Sequence, residues 1–276
     1  MSIFYLIIFI FGLVIGSFLN CVIFRLEEKK SFLKGRSFCP NCRHPLTWKD
    51  LIPVFSFLIL QGKCRYCGKK ISIQYPLVEI STGLIFLLIF NYQLSTLQFS
   101  SFKYQFLFSI FYLLIISSFL IIIFVYDLEH YIIPDKIIWP AIIITGIYNL
   151  QFSISNGFSI FSLRNFFIYP LLAGIGASSF FFLIWFFSQG KWMGFGDVKL
   201  AFLMGLILGF PKIILAIFFS SFIGAIIGIG LVMFKKKDLK SEIPFGPFLV
   251  SGTFIAMFWG QQIIDFYFRL INSTFL

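Results

Sequence analysis

The sequence predicts an all-α polytopic integral membrane protein of about eight transmembrane helices, with a small loop domain between the first two. Of its 276 residues 59% are hydrophobic, 12% are charged and 42 are Phe. Apolar runs recur near the length of about 20 residues that a hydrocarbon core of about 30 Å requires. No segment alternates with the dyad period of a barrel strand, so helices must satisfy the backbone inside lipid.

Taken in order, the spans fall at 2–24, 76–90, 106–126, 137–150, 166–187, 198–210, 213–234 and 245–268. The runs at 137–150 and 198–210 are short for a crossing, and only Pro211-Lys212 separates the sixth from the seventh. A count of seven would reverse the C-terminus. Eleven Lys and Arg, from Arg25 to Lys70, lie between the first two spans, and the positive-inside rule makes that loop cytosolic. Continued alternation places 18 basic residues inside and four (Lys103, Arg164, Lys212 and Arg269) outside. The net charge of +11 therefore sits in loops that flank spans, where anionic head groups attract it, and nucleic acid is not an expected partner. No Lys or Arg precedes the first apolar run, the reverse of a secretory signal, so it is expected to stay as an anchor. The chain divides as a first helix (1–24), a basic loop (25–75) and a membrane-embedded remainder (76–276).

Inside the basic loop, Cys39-Pro40-Asn41-Cys42 is followed after 21 residues by Cys64-Arg65-Tyr66-Cys67. This is the spacing of a four-cysteine zinc site, each C-x-x-C turn presenting two thiolates to one tetrahedral ion. Four thiolates leave no open position, so the zinc is expected to be structural. Disulfides are disfavoured in a reducing cytosol. A short loop rich in Lys, Arg, Gly and Pro has little apolar material for a core, and metal supplies the staple. Cys21, within the first span, reads as a small apolar residue. His44 adjoins the first pair, but four cysteines already complete the shell.

Two aspartates stand where apolar runs meet polar ones: Asp127 in Val125-Tyr126-Asp127-Leu128 and Asp197 in Gly194-Phe195-Gly196-Asp197. The alternation puts both at the cytosolic face. Ionisable groups at membrane depth are costly and tend to be functional, and two converging carboxyls can hold one proton between them, as in aspartyl proteases. Competing readings are a helix cap for Asp197 and a solvated charge for Asp127. Glu129 and Asp135 are rival partners, although Asp135 after Pro134 also suits a helix cap. Asp127 lies nearer the apolar span and should be the more desolvated.

These residues bring the chain to a resemblance. Gly16-Ser17-Phe18-Leu19-Asn20 with Arg25, the paired C-x-x-C motifs, Asp50-Leu51-Ile52-Pro53-Val54 and Tyr75-Pro76-Leu77-Val78-Glu79 are followed by Asp127 with Ile133-Pro134-Asp135. Gly194-Phe195-Gly196-Asp197-Val198-Lys199 and Ile243-Pro244-Phe245-Gly246-Pro247 complete the series. In this order they resemble the type IV prepilin peptidases, bifunctional leader peptidases and N-methyltransferases of the GxGD membrane aspartyl proteases. The resemblance implies cleavage of a short basic leader from prepilins or pseudopilins at the cytosolic face of the bacterial inner membrane, in type IV pilus or type II secretion systems. It makes Asp127 and Asp197 the catalytic pair, and implies methylation of the new N-terminus with S-adenosylmethionine. No G-x-G-x-x-G follows a strand to mark that cofactor's site. Glu79, Lys199 and Glu242 read by default as snorkelling or ion-paired residues. The alternatives are a preflagellin-type protease without methyltransferase activity, a proton-coupled transporter and a zinc-stapled adaptor. Transport sites lie near the midplane of repeated halves, whereas both aspartates fall at span ends and no repeat is present.

Overall fold

The computed structural model describes residues 2–28, 35–96, 103–155, 160–234 and 243–274. Helices follow in the order α1 (Ser2–Glu27), α2 (Phe55–Ile59), α3 (Gln74–Thr96), α4 (Lys103–His130), α5 (Asp135–Ser155), α6 (Ile160–Leu163), α7 (Tyr169–Ser188), α8 (Phe195–Leu208), α9 (Lys212–Met233) and α10 (Gly246–Thr274). A π-helical turn, Arg164–Ile168, joins α6 to α7 in one rod. Among the described residues, seven helices are long and apolar enough to cross a membrane, at 21 to 28 residues each. The run at 137–150 proves sufficient because its helix extends over polar neighbours at both ends, from Asp135 to Ser155.

The eighth apolar helix, α8, has 14 residues, about 21 Å at 1.5 Å per residue and short of a 30 Å core. It packs against α5, α7, α9 and α10, and Leu200, Ala201, Leu203 and Met204 are fully buried. A helix enclosed by protein has no need to reach both lipid boundaries. The Asn149 side chain of α5 donates to the Leu206 carbonyl at 3.0 Å, satisfying an acceptor that the helix end leaves open.

The chain forms two compact units, residues 1–122 and 123–276. In the first, α1 lies against α3 through a G-x-x-x-G pair. A Cβ on Gly12 would lie 2.6 Å from the Gly83 Cα, and one on Gly16 would lie 2.7 Å from the Glu79 Cα, so only glycines permit this approach. In the second, Gly205 of α8 meets the Gly174 backbone of α7, and Gly252 of α10 meets Ser220 and Ala216 of α9. Lipid gives helices no hydrophobic reason to associate, and close packing of small residues takes its place. Buried hydroxyls are satisfied within their own helices: Thr82, Thr145, Ser220 and Thr253 each donate to the carbonyl four residues back.

Candidate functional site

In the first unit the two C-x-x-C segments adopt the same turn. Cys39 N–H donates to the His44 carbonyl at 3.0 Å and Arg43 N–H to the Cys39 carbonyl at 2.8 Å; Cys64 N–H donates to Lys69 at 2.8 Å and Gly68 N–H to Cys64 at 2.9 Å. Bridges between Phe38 and Pro45 and between Lys63 and Lys70 close the turns. The residue after each second cysteine is left-handed, Arg43 at φ 56° and Gly68 at φ 67°, a conformation that costs glycine least.

The four Sγ atoms of Cys39, Cys42, Cys64 and Cys67 lie within 4.8 Å of one another, with Cys39 and Cys67 at 4.0 Å. A tetrahedral ion with metal–sulfur bonds of about 2.3 Å separates its sulfurs by about 3.8 Å. The cluster therefore has the donors and spacing to hold a metal ion. Burial raises the Cys39 thiol, but N–H groups of Cys42 and Asn41 and the neighbouring thiols bring it down to about 7. The Lys69 N–H lowers Cys67, while burial and the other three cysteines push it up to about 11. Four crowded thiols cannot all ionise without a cation among them. His44 is stacked on Tyr66, ring centroids 3.8 Å apart, and takes no part in the cluster. Cys21 is half-buried rather than buried.

Asp50 joins the segment that follows the first turn to the second turn. Its carboxylate accepts from the Thr47 N–H at 3.0 Å and hydroxyl at 2.7 Å, and from Arg65 Nε at 2.7 Å and Tyr66 OH at 3.2 Å, both within the second C-x-x-C. Burial would raise its pKa, but these donors together hold it at about 2.

The aspartates converge in the second unit. Asp127 is 4% exposed and lies in the last turn of α4, not at the start of the loop. The helix continues past it to His130, whose ring stacks on Tyr126 at 4.3 Å, and ends where Tyr131 turns to φ 58°. Asp197 is 8% exposed and occupies the first turn of α8. Gly194 is the N-cap there, and the Asp197 carboxyl, three residues on, accepts the Gly194 backbone N–H. Gly246, first residue of α10, donates its N–H to Asp127 Oδ2 at 3.1 Å. Ile133 is wedged between the helix starts: a Cβ on Gly196 would lie 2.9 Å from the Ile133 Cβ, and one on Gly246 would lie 3.4 Å from its Cδ1. One side chain thus ties the segment before Asp197 to the residue that holds Asp127. The two carboxyls act on each other electrostatically.

The rival carboxylates are placed elsewhere. Glu129 is exposed. Asp135 opens α5 with its side chain 63% exposed and pairs with Lys199 Nζ at 2.5 Å, while that ammonium also sits 5.3 Å from the Phe195 ring. Glu242 lies outside the described residues. Sequence reasoning missed the roles of Gly246, Ile133 and Asp50. The run Ile243-Pro244-Phe245-Gly246-Pro247 carried a helix-start signal, but its contact with Asp127 spans 119 positions.

Comparison with known proteins bears on this arrangement. Residues 10–92 match the model of the bacterial peptidase A24 N-terminal domain, and residues 114–229 that of the type IV leader peptidase family. A prepilin leader peptidase/N-methyltransferase of Bacillus subtilis is 32% identical, over 96% of this chain and 98% of its own length. Relatives of the same name from Aeromonas salmonicida, 30% identical over 96% and 94%, and Pseudomonas aeruginosa, 28% identical over 94% and 91%, are also similar. No solved structure matches the chain.

Proposed function

Because the chain belongs to the type IV leader peptidase family, we propose that Asp127 and Asp197 are its catalytic pair. The protein is a multi-pass bacterial inner-membrane enzyme, a prepilin leader peptidase and N-methyltransferase. The observation that supports the pair is the seating of Asp127 on the Gly246 N–H, with Ile133 linking that helix start to the approach of Asp197. In this reading one ionised aspartate takes a proton from water as the water attacks. The protonated partner polarises the scissile carbonyl and then serves the leaving amine. The Gly246 amide fixes the rotamer of Asp127 so that the pair need not reorganise.

The excess of Lys and Arg in the loop after α1 supports a cytosolic loop, with the aspartate pair on the same side. Prepilins or pseudopilins enter the bilayer by an apolar helix, and the enzyme would meet them by lateral diffusion at head-group depth. The basic loop would bind anionic lipid. Cys39, Cys42, Cys64 and Cys67 would hold a structural zinc ion, whose closed shell fixes the fold of the loop and takes no part in hydrolysis. S-adenosylmethionine would supply the methyl group for the new N-terminal amine.

Reconstitution with a model prepilin in proteoliposomes tests this reading by the mass of the product. The expected product lacks its leader, and gains one methyl group only when S-adenosylmethionine is present. An intact leader would overturn the peptidase reading, and a cleaved product that never gains a methyl would leave a protease alone.

A further inference from the structure

We infer that an apolar groove between α4 and α9, opening beside Asp127, seats the first two turns of the prepilin's apolar stem. The inference rests on the peptidase half of the proposed function and names where the substrate lies when its scissile bond meets the pair. One wall is formed by Phe124 and Leu128 of α4 and by Tyr131 just past its end, the other by Ile223, Ile227 and Leu231 of α9. Residues four apart fall on one face of a helix, so each wall is a single apolar stripe. At 1.5 Å per residue the α9 stripe runs about 12 Å. The groove encloses about 750 Å³, its open side included. Two turns of a helix about 10 Å across are about 11 Å long and take up about 860 Å³. Length and volume thus suit such a segment with its outer face left to lipid.

The position of the groove names its occupant. Asp127 falls between Phe124 and Leu128 in α4. Gly246, whose N–H reaches Asp127 Oδ2 at 3.1 Å, falls between Pro244 and Pro247, which also border the groove. The groove therefore begins at the carboxyl. From there it leads, by Phe124 and Ile223, away from the helix ends at His130 and Met233 and into the spans of α4 and α9. Among the described residues its wall carries no charged side chain, and the Ser251 hydroxyl in it donates to the Pro247 carbonyl at 2.8 Å. A basic leader has no partner in such a wall and stays at the polar end. The part of a prepilin that follows the scissile bond is apolar and helical, and it alone can follow the groove inward.

A seated stem also positions the scissile bond. Lipid is as apolar as the groove, so burial alone offers the stem no gain, and the seat holds it by close packing of side chains. A helix lodged against the two stripes cannot slide along the membrane normal, and the height of its first residue is then fixed against Asp127. Misplacing a reacting bond by about 1 Å costs about a hundredfold in rate. Tyr131 N–H donates to the Asp127 carbonyl at 2.9 Å, so the turn that ends α4 at the carboxyl also sets the Tyr131 ring at the mouth of the groove.

Cleavage in proteoliposomes of a model prepilin, and of a peptide that carries its leader but ends just past the cleavage site, tests the seat. Ile227→Trp, which fills the groove from α9, should lower kcat/KM for the prepilin about tenfold or more and leave that for the peptide within about twofold. Ile226→Trp, on the neighbouring face of α9 and 55% exposed, should change neither. A prepilin with a benzophenone in the second turn of its stem should, on illumination, label the α4 and α9 stripes of the parent and lose that label in Ile227→Trp. An unchanged prepilin rate in Ile227→Trp, or label outside the groove in the parent, would overturn the seat and leave the groove to lipid or to a second copy of the chain. Equal loss for both substrates with the label retained would overturn it as well, since the tryptophan would then have disturbed the pair alone. A parent that neither cleaves the prepilin nor takes its label would instead show that the peptidase reading has failed, and the seat with it.

Discussion

Asp127 occupies the space that a side chain at position 246 would need. A Cβ there would fall 3.1 Å from the Asp127 Cγ and closer still to Oδ2. Gly246→Ala must therefore push the carboxyl away or break the 3.1 Å bond from its own N–H. Displacing a catalytic group by about 1 Å costs about a hundredfold in rate. The expected outcome is a kcat for leader cleavage lowered by about that factor with bound metal unchanged, measured by product mobility on a gel. Asp50 allows a prediction in pH. Its folded pKa of about 2 lies below the unfolded value of about 3.9. The stability it contributes is thus complete above about pH 4 and is lost as the pH falls toward 2. Asp50→Asn should lower the melting temperature of the loop at neutral pH, and the gap to the parent should close across that window. Both aspartates of the proposed pair are marked in the sequence by the meeting of apolar and polar runs. The choice of Asp127 over Glu129 and Asp135 is marked less clearly, because it turns on burial and on Lys199, 64 residues from its partner Asp135.

Among elements, the cysteine loop was legible because ligand spacing is a local code, two short turns that must each present two sulfurs. The anchoring of the second turn by Asp50 was not, since its partners Arg65 and Tyr66 lie 15 and 16 residues away. Metal and fold should be lost together in a loop of this kind. A Cys39→Ser, Cys42→Ser double variant is expected to carry no zinc and to become sensitive to protease within residues 35–73, as seen by metal analysis and limited digestion. Equal zinc in parent and variant would contradict the assignment. The short helix α8 illustrates the opposite case. Its length of 14 residues made it a poor span, and only the surrounding helices show why it is stable: Leu200, Leu203 and Met204 meet protein on every side.

Across the whole molecule, hydrophobic composition established a helical membrane protein, since lipid leaves few alternatives for a chain that is 59% hydrophobic. Many large apolar side chains stay exposed, Phe187 at 78% and Phe218 at 59% among them, as expected where lipid is the solvent. The contacts that bring helices together were harder to read. They depend on glycines such as Gly12, Gly83 and Gly205, whose partners are distant in sequence. The central claim is that Asp127 and Asp197 cleave the leader as a pair. Cleavage of a model prepilin in proteoliposomes, comparing the parent with Asp127→Asn, Asp135→Asn and Asp197→Asn at matched expression, tests it most directly. The account predicts that Asp127→Asn and Asp197→Asn abolish cleavage while Asp135→Asn retains it. Retained cleavage in either of the first two would contradict the paired mechanism.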